Sequence, residues 1–407
     1  MKKSVSTPMR MTSLMLTLLL LFSMTVNLGM LTVSAKEGEA EKASVYTDKI
    51  CPGEYVTRGT RLVNDLRTRP RKMTVYIDGT LAGNADKEFQ MPCNAVLEKR
   101  GTNEFFVQHI VLFFKSIRSS YADEELKEKL AQNETVDLSE NIMFGDTVTI
   151  NDGKNHVINA NGYSIQIESG MSGIFTVENG STLTINGKGE NDQTTIISNA
   201  GNKGADTGAI RVLENSKLIV NDVTFDENKS KNGGAVSVRG GSVQMKDCVV
   251  QNCSADEKGG GLFADEASTV TLTNCTFDSN SAYDGGGIAN FGTLTVTDCA
   301  VKSNTVRGGG AGIWSKGDAT LSDSTIEQNT NAINGGGVTN HKNMTIKGCT
   351  ISGNSASSWG GGFFNESDGN TVIEGDTVIE GNTANEGAGI FHRQGKLSVT
   401  DTSILKN

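Results

Sequence analysis

The chain has 407 residues, 48 glycines and only 4 prolines, and its formal net charge is −10. At about 5% usage an average chain of this length would carry roughly 20 prolines. The scarcity of proline excludes collagen and Pro/Gly-rich disordered linkers, and the acidic balance argues against binding phosphate backbones.

The first 35 residues read as an export signal. Lys2, Lys3 and Arg10 precede an apolar run from Leu14 to Leu31, and Val33-Ser34-Ala35 offers small residues for cleavage. The alternative is an uncleaved membrane anchor, since the run is long for a signal. No second apolar stretch of about 18 residues occurs, so a mature chain spanning the membrane as a helix is not expected. Residues 36–115 carry 13 basic and 11 acidic side chains, and their fold is left unassigned. Cys51 and Cys93 lie in this segment and are candidates to pair in an oxidising compartment. All four prolines (Pro8, Pro52, Pro70, Pro92) fall before residue 93.

A helix is expected over residues 116–133. Ala122, Leu126 and Leu130 share one face, and Ser119 or Ser120 offers an N-cap. From residue 134 onward the sequence alternates with period two, as in Thr147–Ile150, Ser164–Ile167 and Thr182–Ile185. The helix would cap the open end of these strands and shield an unpaired edge.

From about residue 200 one unit recurs. Gly285-Gly286-Gly287-Ile288 leads into Thr293–Thr297, then Asp298-Cys299, Val301 and Asn304. The column ending each unit reads Asn228, Cys253, Asn280, Asn304, Asn329, Asn354, Asn382 and Asn407, and Asn199 is an earlier member. Steps of about 25 residues are too short for a propeller blade and lack the leucine-rich-repeat frame. Short alternating strands separated by Gly, Asn and Asp turns bury their apolar face only by stacking on equivalent strands. The expected fold is therefore an all-β parallel β-helix, a solenoid of about 25 residues per coil over residues 134–407. The missing prolines fit, because a proline deletes a hydrogen bond to the next coil.

This register defines four columns. The core column reads Ile210, Val236, Leu262, Ile288, Ile313, Val338, Phe363 and Ile390. A small-residue column reads Val223, Cys248, Cys275, Cys299, Ser324, Cys349, Thr377 and Thr402. Its cysteines suit either stacked thiols or bridges between coils, and the free interchange with Ser and Thr favours thiols. The inward Asn228, Asn280, Asn304, Asn329, Asn354 and Asn382 suit a structural amide ladder, because buried amides need partners. Next to the core column, Phe263, Trp314, Phe364 and Phe391 point outward by alternation. They are expected either to form an exposed stripe that binds sugar rings or protein, or to be folded under a loop.

The Gly-Gly-x-apolar turns with apolar-x-x-Asn ends (Phe225…Asn228, Phe277…Asn280, Val301…Asn304, Ile326…Asn329) resemble the polymorphic outer-membrane-protein repeat. That repeat is similar to those of pectin-lyase-like right-handed β-helix surface proteins. The resemblance covers residues 134–407. It implies a right-handed coil and a secreted or cell-surface protein, adhesin-like, with glycans or host and cell-surface proteins as partners. Outer-membrane residence is implied by the resemblance alone.

The alternative is a carbohydrate-active β-helix enzyme, a polysaccharide lyase or glycoside hydrolase. It would need a localised carboxylate pair, or calcium ligands with a base. The ordered acids Asp222, Asp247, Asp298, Asp323, Asp376 and Asp401 repeat in nearly every coil, which suits turn residues better than a catalytic site. The histidines, His341 and His392 included, are not spaced as ligands, and no metal spacing or nucleotide fingerprint occurs. No catalytic residues, metal or cofactor are expected.

Overall fold

The computed structural model describes residues 126–407, except 133–134, 169–170, 172, 190–192 and 200–206, together with five strands nearer the N-terminus. The signal segment, its cleavage site, Cys51, Cys93 and the first half of the expected helix lie outside the described residues. The chain divides into two compact units, Met1–Arg118 and Ser119–Asn407.

In the first unit the described strands are Ser44–Lys49, Thr60–Asn64, Met73–Ile77, Thr80–Asn84 and Val96–Glu98. They form one antiparallel sheet in which the strand starting at Ser44 pairs with those starting at Thr60 and Val96.

The second unit is a parallel β-solenoid of about 10 turns with about 26 residues per turn. Residues 126–131 are helical, and Leu126 and Leu130 are buried in the same core as Val136 and Ile158. One coil shows the plan: a first strand Ile288–Asn290, a second Thr293–Thr297, a third Ala300–Lys302 and a fourth Thr305–Val306. First strands stack in register, with Ile288 opposite Leu262 and Ile313. Third strands build an 11-stranded parallel sheet. The fourth-strand stack is shorter and broken into runs of four and two strands.

Alternation decides what is buried. In Thr293–Thr297 the burial alternates, with Leu294 and Val296 inside and the threonines outside. The core column from Ile210 to Phe363 is fully buried, and its last member, Ile390, is half-buried. Each such Ile, Leu or Phe contributes about 1.5–3 kcal/mol on burial.

The turns set the coil. Three positions per coil adopt left-handed backbone, for example Gly285 (φ 64°), Asp298 (φ 54°) and Ser303 (φ 55°). The first belongs to the glycine triplet, and Gly286 and Gly287 need glycine for a second reason. A Cβ on Gly286 would lie 2.6 Å from Ala311 O, and one on Gly287 2.7 Å from Gly312 O. Coils therefore approach backbone to backbone at this corner. The second position is the acidic column: Asp222, Asp247, Asn274, Asp298, Asp323, Asp376 and Asp401 all have φ between 46° and 62°. Asp and Asn tolerate that region better than most residues, which accounts for the repetition without chemistry.

Beside the third strand runs the asparagine ladder. Asn304 Nδ2 donates to Phe277 O (3.0 Å) in one neighbouring coil and to Asn329 Oδ1 (2.9 Å) in the other. The Asn304 backbone N–H donates to the same Asn329 oxygen at 3.0 Å. The pattern repeats from Asn280 to Asn407. At the substituted rung Asn228 Nδ2 meets Cys253 Sγ at 3.7 Å, and the Cys253 N–H still donates to Asn280 Oδ1. A second ladder of Asn290, Ser315, Asn340 and Asn365 runs inside the corner after the first strand. It ends where Asn365 Nδ2 lies 2.9 Å from His392 Nδ1.

The five repeat cysteines are free thiols and buried. Burial pushes the Cys253 thiol up to about 12 and Cys349 up to about 11. The neighbouring Cys248 thiol, followed by burial, raises Cys275 to about 12. They remain protonated and act as small apolar fillers rather than nucleophiles.

Two substitutions test the roles of ladder and turn. Asn329→Ala strands Val301 O and two donors of Asn304, and is expected to cost about 2–4 kcal/mol in urea unfolding. At the turn, Asp298→Val should cost about 1–2 kcal/mol while Asp298→Gly stays within about 1 kcal/mol, because only the branched residue is strained at positive φ.

Candidate binding faces

Two outer faces depart from bland solenoid surface. The first is the outer column of the first strands. Its register runs Arg211, Ser237, Phe263, Ala289, Trp314, Thr339, Phe364 and Phe391. All eight project away from the core, but the exposed stripe expected from alternation is not what forms. Phe263 and Trp314 are only 6% exposed and Phe364 1%, while Phe391 is half-buried.

A second layer covers them. Phe291, on the turn leaving the first strand, packs at 5.7 Å from Phe263 and 5.1 Å from Trp314. Lys316 and Lys258 lie over the Trp314 ring at 5.0 and 5.8 Å, and Arg239 over Phe263 at 5.0 Å. From the loop before the glycines, Trp359 stacks on Phe364 (6.2 Å) and on Phe391 (5.5 Å), with interplanar angles of 18° and 22°. Small Ala289 and Thr339 leave room for these neighbours.

Most of the covering residues stand three places after the core column: Arg239, Asp265, Phe291, Lys316, His341, Glu366 and Arg393. That column is visible in the sequence but carries no alternation signal, because the chain turns there. Polar groups complete the layer. His341 Nδ1 lies 3.7 Å from Glu366, which also contacts Arg393 closely. Burial holds His341 below the ordinary 6.5, against the opposing pull of Glu366. Arg211 Nε, Ser237 Oγ and Asn334 Oδ1 are buried without a hydrogen-bond partner. Their polarity is unmet, which marks this layer off from the satisfied ladders. Along the neighbouring corner Tyr283 and Ile333 are 49% and 46% exposed.

The second face is the outer side of the second strands, which alternation alone does not distinguish from ordinary strand surface. Thr271, Thr295, Thr320, Thr345 and Val372 stand in register down its middle. A shallow groove of about 380 Å³ crosses it, lined by Thr293, Thr295, Asp318, Thr320, Asn343 and Thr345 among others. Asp318 accepts from Lys342 Nζ and Asn343 Nδ2, both at 2.9 Å. The Lys342 ammonium holds its carboxyl below the usual range. The sequence signal for this face is outward threonine recurring at one strand position in consecutive coils.

Among the described residues no group of three or more His, Cys, Asp or Glu side chains is placed to hold a metal ion. His156 is buried in the leucine column of an early coil, opposite Leu183, and its Nε2 meets Asp152 at 2.8 Å.

Residues 142–301 match the family described as right handed beta helix region. A relative from Dictyostelium discoideum, named metabotropic glutamate receptor-like protein R, is 33% identical over 129 residues, which is 30% of this chain and 8% of that protein.

The first-strand layer makes two predictions. Trp314→Ala removes a buried ring and is expected to destabilise the unit by about 3–5 kcal/mol in denaturant titration. Because His341 binds its proton less readily folded than unfolded, stability is lost as pH falls below about 6.5. Unfolding midpoints between pH 7.5 and 5 should fall for wild type and fall less for His341→Gln.

Proposed function

We propose that this protein is an exported, cell-surface β-helix that serves as an adhesin-like or structural interaction module, of the kind carried by polymorphic outer-membrane-protein-repeat and pectin-lyase-like surface proteins. Its partners are surface glycans or cell-surface proteins. What supports this is the first-strand layer. The rest of the solenoid repeats one satisfied pattern from coil to coil. In this layer aromatic rings, lysines and arginines, and unmet polar atoms gather on an outward column. Aromatic and Arg side chains are enriched at the energetic centres of interfaces. The half-buried rims, Trp359 and Phe391, are the parts a partner reaches first. The receptor-like name of the Dictyostelium relative agrees with a place at the cell surface.

Immobilised glycans and cell-surface proteins, probed with the full chain, test the proposal. Trp359→Ala and Phe391→Ala are expected to weaken the bound signal at least tenfold with the fold intact by circular dichroism. Equal binding by both variants would remove the layer from the interface. Release of reducing or unsaturated ends from polysaccharides, with or without calcium, would replace an interaction module by an enzyme.

A further inference from the structure

We infer a second ligand site, independent of the aromatic layer: the second-strand groove takes a neutral, extended polysaccharide chain lying along the solenoid axis, about one sugar unit per coil. The first argument is periodicity. Successive second strands stand about 4.8 Å apart, close to the advance of one hexose unit in an extended chain. Thr295, Thr320 and Thr345 repeat at that spacing in the middle column. Each unit of such a ligand therefore meets the same side chain in the same pose.

The second argument is chemistry. A threonine offers a methyl group to the C–H face of a sugar and a hydroxyl that both donates and accepts. The hydroxyls of Thr295, Thr320 and Thr345 make no hydrogen bond to the described residues. Beside them, Asp318, Asn343 and Asn370 are already fixed to one another. Asn343 Nδ2 donates to Asp318 Oδ1, and Asn343 Oδ1 accepts the Asn370 N–H, both at 2.9 Å. The polar wall is thus preorganised across three coils, which limits the ordering cost of binding.

The third argument is charge, and it selects the class of chain. Among the described residues the one charged side chain lining the groove, Asp318, is neutralised by Lys342 at 2.9 Å. The chain as a whole carries −10. A polyanion would meet repulsion and no cation in the groove lining, whereas a neutral chain meets no repulsion and needs no cation. A peptide strand is disfavoured as well. The backbone N–H and C=O groups of these strands are spent on neighbouring coils, so the face offers a peptide no backbone pairing.

The groove also has the dimensions of a ligand site. Its volume of about 380 Å³ lies within the range of about 300–1,000 Å³ that holds small ligands, and it runs across the coils of Thr293, Asp318, Asn343 and Asn370.

The test is calorimetric titration of the full chain with cellopentaose, xylopentaose and mannopentaose, and with penta-galacturonate as the anionic counterpart. Thr320→Arg blocks the groove from an outward, exposed position, and circular dichroism checks its fold. The expected result is saturable binding of at least one neutral pentamer, weakened at least tenfold by Thr320→Arg and unchanged by Trp359→Ala, with the galacturonate at least tenfold weaker. Thr320→Val, which keeps the methyl groups and loses the hydroxyl, should weaken binding severalfold. Absence of binding by all three neutral pentamers overturns the inference, as does preference for galacturonate or indifference to Thr320→Arg. Binding lost in Trp359→Ala but kept in Thr320→Arg would assign the glycan to the aromatic layer, sinking this site while leaving the interaction module standing.

Discussion

Everything in the second unit depends on one constraint: each coil must satisfy its backbone and its inward polar groups on the coil above and the coil below. Third strands pair in register through eleven members. Asn304 binds a carbonyl on one side and the next asparagine on the other. No coil is a stable unit alone, because three short strands and their turns bury too little. The hydrophobic column supplies the driving force, while the ladders specify register. A coil slipped by one residue would place asparagine amides among the isoleucines, at the cost of an unpaired buried amide on every rung.

The same constraint explains the composition. Proline is absent after Pro92 because nearly every N–H is spoken for by a neighbouring coil. Glycine recurs where coils touch backbone to backbone, as at Gly286 and Gly287. Asp and Asn recur where the chain turns through positive φ. Cysteine appears where a small, apolar, fully enclosed side chain is needed, and its thiol is kept protonated there. The acids that look like a ladder for calcium in the sequence are therefore bends in the coil.

What is legible in the sequence comes from strict repetition. The core column from Ile210 to Ile390 and the strand positions emerge from alternation and a constant step, because both are local consequences of stacking. The N-terminal sheet does not emerge, since residues 36–115 lack any repeat. On the outer face, alternation tells direction but not cover. It sends Trp314 outward correctly, yet says nothing of Phe291, Lys316 and Lys258 closing over it. Burial of an outward residue depends on turns and loops whose path no period encodes. The threonine face escapes sequence reasoning for the opposite reason. Outward threonines look like ordinary strand surface until their register aligns them into rows beside a groove.

A solenoid of this kind separates stability from recognition by geometry. Inward positions answer to the neighbouring coils and tolerate little change. Outward positions answer only to what lies outside, so they can vary from coil to coil without disturbing the register. The two faces use that freedom differently. On the first-strand face, large rings and cations break the repeat and build a local layer whose polar atoms are not all met. On the second-strand face the repeat itself is kept, as rows of threonine with the single acid neutralised. An irregular surface suits a partner with a unique shape, whereas a periodic one suits a partner that is itself periodic. The contrast between the faces is thus a contrast in the kind of ligand each is able to register, and both are set by side chains that the fold does not need.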